Sequence, residues 1–140
     1  PEGRTVVRPA NPAGRFLLDT IGELRAAYAL ADVVVVGRTF VPLGGSDMIE
    51  PVGLGKATIV GPHVDNFSDA VAALEAGDGL VRADAATLAT TLRRVLDARG
   101  ERAAMAARGR AVIRERQGAT ERTAAMLRGL LMDRARRCRG

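Results

Sequence analysis

The chain has 140 residues, about one domain, with 47% hydrophobic and 26% charged side chains, enough apolar mass for a buried core. Its single cysteine, Cys138, excludes a disulfide framework or a cysteine-based metal site within one chain, and the longest apolar run, around Val33–Val36, is far too short to span a bilayer. The net charge of +5 is uneven: residues 1–91 carry 7 basic and 11 acidic groups, residues 92–140 carry 14 and 5. A basic end of this kind suits phosphate, acidic lipid or nucleic acid, but abundant Arg beside abundant Ala with one lysine reads more simply as a solvated, Arg-biased helical surface. The start, PEGRTVVRP, has neither a signal-peptide apolar region nor an initiator Met, and reads as a piece of a longer chain or a domain taken alone.

In chain order, residues 5–8 form a short strand candidate between Gly3 and Pro9, and residues 16–18 a second. Asp19 and Thr20 then offer a helix start, and Leu24, Ala27, Tyr28 and Ala31 recur at helical spacing, predicting a helix over residues 22–31. Val33–Val36 is β-branched without alternation, the mark of a strand buried on both faces. A short helix over residues 48–54 ends at Gly55, and Ala57–Val60 is the next strand, stopped by Gly61-Pro62. Residues 66–76 place Phe67, Ala70, Val71 and Leu74 on one helical face, and Gly77 follows as a stop. After a strand at residues 79–81, three helices close the chain, over residues 85–98, 101–116 and 119–132. The last carries Thr123, Met126, Leu127, Leu130 and Leu131 along one stripe. Strands alternating with helices predict an α/β architecture, a Rossmann-like parallel sheet flanked by helices. It is assigned to residues 1–133, with residues 134–140 as a frayed basic tail.

Ligands of open parallel sheets bind beyond the carboxyl ends of the strands. Two junctions there are suited to the task. In LLDTIGEL, Gly22 lets a ligand approach first-turn N–H groups. In FVPLGGSDMIEP, Gly44 and Gly45 can bare backbone N–H groups beside a helix start, a setting that favours phosphate. Glu50, a turn further on, is placed to accept hydrogen bonds from a vicinal diol such as a ribose. The plainer readings are a simple turn for Gly-Gly and a helix-start acid for Glu50. His63, the only histidine, suits a backbone-bonded loop as well as catalysis; no metal cluster and no Ser-His-Asp set can be assembled around it.

In order and spacing, DTIGEL, ALADVVVVG and VPLGGSDMIEPVGLGKATIVGPHVDNF together resemble the C-terminal domain of the 3-deoxy-D-manno-octulosonic acid (Kdo) transferase family of lipopolysaccharide synthesis. The resemblance runs from about Leu17 to the end. It implies the C-terminal donor-binding domain of a GT-B glycosyltransferase, which moves Kdo from CMP-Kdo to a lipid A precursor without cofactor or metal ion. By position it implies that Ile21, Gly22 and Glu23 lie at the cytidine, and that Asp47, Met48, Ile49 and Glu50 form a second CMP-contacting segment, continuous with Gly44, Gly45 and Ser46. It places the acidic general base, the acceptor site and the membrane anchor in an N-terminal domain, so no catalytic residue is expected in this chain and the chain is expected to be inactive alone. It implies work at the cytoplasmic face of the bacterial inner membrane. The basic end makes an anionic membrane surface a further candidate partner; no specific nucleic acid is expected.

Two departures stand out. The family pattern GGHN is Gly44-Gly45-Ser46-Asp47 here, and a usual GGS after the strand is Gly37-Arg38-Thr39. A carboxylate at Asp47 repels a phosphate by about 1 kcal/mol at 4 Å in water and by more in a screened cleft. Arg38 is placed to offset it, or Asp47 to cap the following helix. Two alternatives therefore stay open: a divergent GT-B enzyme using another sugar nucleotide, and a non-catalytic module whose basic helices bind acidic partners.

Overall fold

The computed structural model describes residues 8–11 and 14–137. A short antiparallel hairpin, β1 (Arg8–Asn11) and β2 (Arg15–Leu17), leads into α1 (Leu24–Leu30), β3 (Val33–Val36), α2 (Ile49–Gly53), β4 (Ala57–Val60), α3 (Ser68–Ala76), β5 (Val81–Arg82), α4 (Leu88–Asp97) and α5 (Arg99–Arg137). The sheet that organises the chain is parallel, in the order β3-β4-β5, with Val33 to Val36 in register with Ala57 to Val60. The expected α/β layering is therefore present, with helices on both faces of the sheet.

Hydrophobicity without alternation is what this position demands of β4. Its four residues are all buried, because both faces are covered. On one face Val34, Val36 and Val60 pack with Met48, Val52, Leu74 and Ile113; on the other, Ala57 and Ile59 pack with Ala83, Val95 and Met105. α5 supplies Met105 to one cluster and Ile113 to the other, so this one helix closes both layers. Its close approach depends on Gly109, where an added Cβ would lie 2.5 Å from the Gly79 carbonyl oxygen and 2.8 Å from Val52.

Several expected boundaries move, each for a local reason. The strand expected at 16–18 is Arg15–Leu17, and it pairs with β1 rather than joining the parallel sheet. Of the strand expected at 5–8, Arg8 lies in β1 and the rest lies outside the described residues. The first helix begins at Leu24 because Gly22 adopts φ +94°, a left-handed backbone that ends any helix there. The helix expected from residue 66 opens with a 3-10 turn, Asp65–Phe67, before α3. The strand expected at 79–81 is Val81–Arg82. α4 starts at Leu88, not 85, because Asp84 accepts hydrogen bonds at 2.7 Å from both the N–H and the hydroxyl of Thr87, folding 84–87 into a turn. The helices expected at 101–116 and 119–132 are one continuous α5: Gly118 does not break it. α5 also runs through Arg134 to Arg137, the first part of the expected tail; residues 138–140, including Cys138, lie outside the described residues. Of the expected stripe, Met126 and Leu127 are exposed.

Arg82 on β5 grips Glu75 on α3 through two parallel hydrogen bonds, Nε to Oε1 at 2.9 Å and Nη2 to Oε2 at 3.0 Å. That hydrogen bonding holds the Glu75 carboxyl below its ordinary range. A lowered carboxylate pKa contributes stability above the ordinary value and loses it as pH falls through the lowered one. Both side chains are 38% exposed, so the contribution is that of a surface pair. Glu75→Gln is expected to cost up to about 1 kcal/mol at pH 7, a difference that closes as the pH falls through the lowered carboxyl pKa, as read by urea unfolding along a descending pH series. By the same assay at pH 7, Gly109→Ala should cost about 1–3 kcal/mol by overpacking the α5 contact.

Candidate functional site

The loops leaving the carboxyl ends of β3 and β4 are bound to each other through Thr39. This residue is fully buried, in the 3-10 turn Gly37–Phe40. Its hydroxyl donates to the Val36 carbonyl at 2.5 Å and accepts the Gly61 N–H at 2.6 Å, while its own carbonyl accepts the His63 N–H at 2.9 Å. Gly61 has no room for a side chain, since a Cβ would overlap the Thr39 carbonyl.

The Gly-Gly pair leans on the same second loop. Gly44 and Gly45 have φ of +76° and +90°, conformations that disfavour any residue with a Cβ. A Cβ on Gly44 would meet the Asn66 side chain at 2.5 Å and one on Gly45 the His63 carbonyl at 3.0 Å, while the Gly44 carbonyl accepts the Asn66 N–H at 3.2 Å. His63 thus enters the site through its backbone. Ser46 is half-buried beside them, and Met48 is wholly buried in the core, so only its backbone can face a ligand. Asp47 caps the next turn: its Oδ1 accepts the Ile49 N–H at 2.7 Å. Arg38 points elsewhere, donating to the Leu43 carbonyl at 3.3 Å.

Asp47, Ile49 and Glu50 line a cavity of about 430 Å³ together with Arg25 from α1 and Arg110 and Arg114 from α5, a volume suited to a small ligand. Glu50 pairs with Arg25 at 3.6 Å. Tyr28 is half-buried nearby, and its phenol pKa is pushed up, first by burial and then by the Glu50 and Asp47 carboxylates, so it remains a neutral donor at physiological pH. Ile21, fully exposed, Gly22 and Glu23 lie outside this cavity's lining, at the start of α1, where Glu23 accepts a hydrogen bond from the Thr20 hydroxyl. A second cavity of about 410 Å³, floored by Leu80, Val95 and Met105, lies at the entry to β5, away from the strand carboxyl ends. Among the described residues no three His, Cys, Asp or Glu side chains gather as a metal site, and no helix is long and apolar enough to cross a membrane.

No family model matches the chain. It is 42% identical over 109 residues, 77% of its length, to the 3-deoxy-D-manno-octulosonic acid transferase of Bordetella pertussis, and 35% identical over 110 residues to that of Chlamydophila psittaci. The crystal structure of the C-terminal CMP-Kdo binding domain of WaaA from Acinetobacter baumannii matches it with a TM-score of 0.64 and 30% identity, over 68% of this chain and 50% of that one. The chain belongs to the 3-deoxy-D-manno-octulosonic acid transferase family. It spans about a quarter of the length of these two relatives, 26% and 25%.

Against this family background, sequence reasoning brought Asp47, Ile49 and Glu50 to the cavity but missed Arg25, Arg110 and Arg114. The available signal was the four-residue spacing of Arg110 and Arg114 around the buried Ile113. The geometry makes Thr39 the test of how the loops are held. Thr39→Val keeps the shape but strips the acceptor from the buried Gly61 N–H, so urea unfolding should show a loss of about 1–3 kcal/mol.

Proposed function

We propose that this chain is the donor-binding part of a Kdo transferase, a GT-B glycosyltransferase that moves Kdo from CMP-Kdo to a lipid A precursor in lipopolysaccharide biosynthesis. The observation that carries this reading is the likeness to a solved domain described as binding CMP-Kdo, at 30% identity and a TM-score of 0.64. In this reading the cavity beside α2 receives the nucleotide. Glu50 accepts hydrogen bonds from the ribose hydroxyls, exchanging its contact with Arg25 for them. Ile21, Gly22 and Glu23 approach the cytidine. Backbone N–H groups of Gly44, Gly45, Ser46 and Met48 face the phosphate, and fixed dipoles stabilise the departing CMP without a cofactor or metal ion. The Ile49 N–H is already taken by Asp47, so at that point a phosphate competes with a carboxylate.

Transfer itself requires an acceptor site and a base, which this reading assigns to an N-terminal domain, so donor binding without transfer is the expected behaviour of the chain alone. The same reading locates the parent enzyme at the cytoplasmic face of the inner membrane, with its anionic surface nearby.

Calorimetric titration with CMP, UDP and GDP tests the proposal. CMP should bind in preference to the other two. Asp47→Asn should bind it more tightly, and Glu50→Gln about tenfold or more weakly, as expected for hydrogen bonds to a charged group. Preference for UDP or GDP would move the chain to another sugar nucleotide. Failure of both the parent and Asp47→Asn to bind CMP would overturn the donor-site reading.

A further inference from the structure

The cavity beside α2 has an unequal charge inventory. Three guanidinium groups, Arg25, Arg110 and Arg114, face two carboxylates, Asp47 and Glu50. Both carboxylates are engaged within the protein, Asp47 by the Ile49 N–H at 2.7 Å and Glu50 by Arg25 at 3.6 Å. Arg110 and Arg114 are different: among the described residues neither has an ion pair or a hydrogen bond. Three other arginines of the same helix are tied down. Arg102 reaches Asp32 and the Leu96 carbonyl, Arg108 reaches Glu101 and the Asp78 carbonyl, and Arg116 reaches the Asp69 carbonyl. Arg99 and Arg128 on the same helix are exposed and also lack a partner among the described residues, but neither lines this cavity, whereas Arg110 and Arg114 do.

Their spacing is the second observation. Residues four apart on a helix lie one above the other, and like charges so placed repel. The buried Ile113 fixes this face of α5 towards α2, and the Arg110 stem runs beside Gly55. Two adjacent guanidinium forks with no internal acceptor cost the fold repulsion, and an anion between them reverses the sign. A phosphate group suits them best, because its free oxygens can accept from both planar forks at once. The cavity volume suits a small ligand rather than a polymer.

We propose that Arg110 and Arg114 form the phosphate receptor of this cavity and select phosphate-bearing nucleotides over the bare nucleoside. The inference rests on the nucleotide-site reading above and adds to it which side chains hold the charge. The nucleotide then lies between α2 and α5, its sugar towards Glu50 and its phosphate on Arg110 and Arg114 in place of the N–H groups of Gly44, Gly45, Ser46 and Met48, which do not line this cavity.

The test is calorimetric titration of the full chain with CMP, cytidine and inorganic phosphate, for the parent, Arg110→Gln/Arg114→Gln, and Arg93→Gln as a charge control on α4. Circular dichroism and the urea midpoint report whether each variant is folded. The parent should bind CMP about tenfold or more tightly than cytidine, the difference a charge-assisted phosphate contact supplies. The double variant should lose that difference with cytidine affinity unchanged, and its CMP affinity should depend less on salt. Should the double variant be unfolded, Arg110→Lys/Arg114→Lys keeps the charge and removes the forks, and partial loss of the CMP preference is then expected. Retention of the full CMP preference in either folded variant overturns the receptor and leaves the CMP reading standing. Arginine-dependent binding of inorganic phosphate without CMP binding upholds the receptor and overturns the CMP reading. A parent that binds none of the three probes overturns both.

Discussion

One buried hydroxyl sets the geometry on which the candidate site depends. Thr39 is fully enclosed, so its oxygen cannot rely on water, and the two bonds it makes join the end of β3 to the beginning of the loop after β4. The absent side chain of Gly61 is the other half of that joint, because only a bare Cα fits against the Thr39 backbone. With the two loops held together there, the chain has little freedom before it reaches Gly44 and Gly45. Those glycines fold the first loop against His63 and Asn66 of the second. Asp47 then starts α2 by accepting the Ile49 N–H, and Glu50 emerges half-buried opposite Arg25. The position of Glu50 is therefore the end of a chain of constraints that begins inside the sheet.

This also explains what the sequence could and could not disclose about that loop. The Gly-Gly pair was legible as a departure from ordinary backbone, and both residues do adopt positive φ. Its purpose was not: spacing alone cannot show that the bulk being avoided belongs to Asn66 and His63, some twenty residues later. Asp47 was open to two readings, an offset carboxylate near phosphate or a helix cap. Its contact with Ile49 selects the cap, and Arg38, the proposed counterion, turns to the Leu43 carbonyl instead. Local side-chain to backbone bonds of this type are strong enough to decide a rotamer that a distant charge does not.

The parallel sheet was easy to read because β3 and β4 need no periodicity. β4 is buried throughout, while β3 is buried at Val34 and Val36 and only half-buried at Val33 and Val35; both still declare themselves as unbroken apolar runs, and their bounds agree with expectation residue for residue. Errors gather where one residue type serves two purposes. Gly22 interrupts a helical pattern that Tyr28 and Ala31 support, whereas Gly118 sits inside α5 without interrupting it. A glycine only permits a break. At Gly22 the backbone takes the left-handed option, while at Gly118 helical hydrogen bonding continues through it. Composition cannot distinguish these outcomes. Strand pairing at the start of the chain was equally hidden, since Arg15–Leu17 is too short for its pattern to name a partner.

The basic half of the chain is where an electrostatic reading from sequence is least specific. A run of arginines suggests a surface awaiting an acidic partner, yet some of those that the structure defines are already spent inside the fold. Arg102 holds the end of α4 and the start of β3 by reaching the Leu96 carbonyl and Asp32, and Arg108 and Arg116 reach the carbonyls of Asp78 and Asp69. Guanidinium suits this work because its several donors can serve two acceptors at once and its stem packs along apolar surface. Such arginines stitch α5 to the loops it covers, and their charge is a by-product of their donor count. Net charge therefore counts groups that no partner can use. What distinguishes a receptor from a stitch is the absence of an internal acceptor, a property of position in the fold that no tally of basic residues contains.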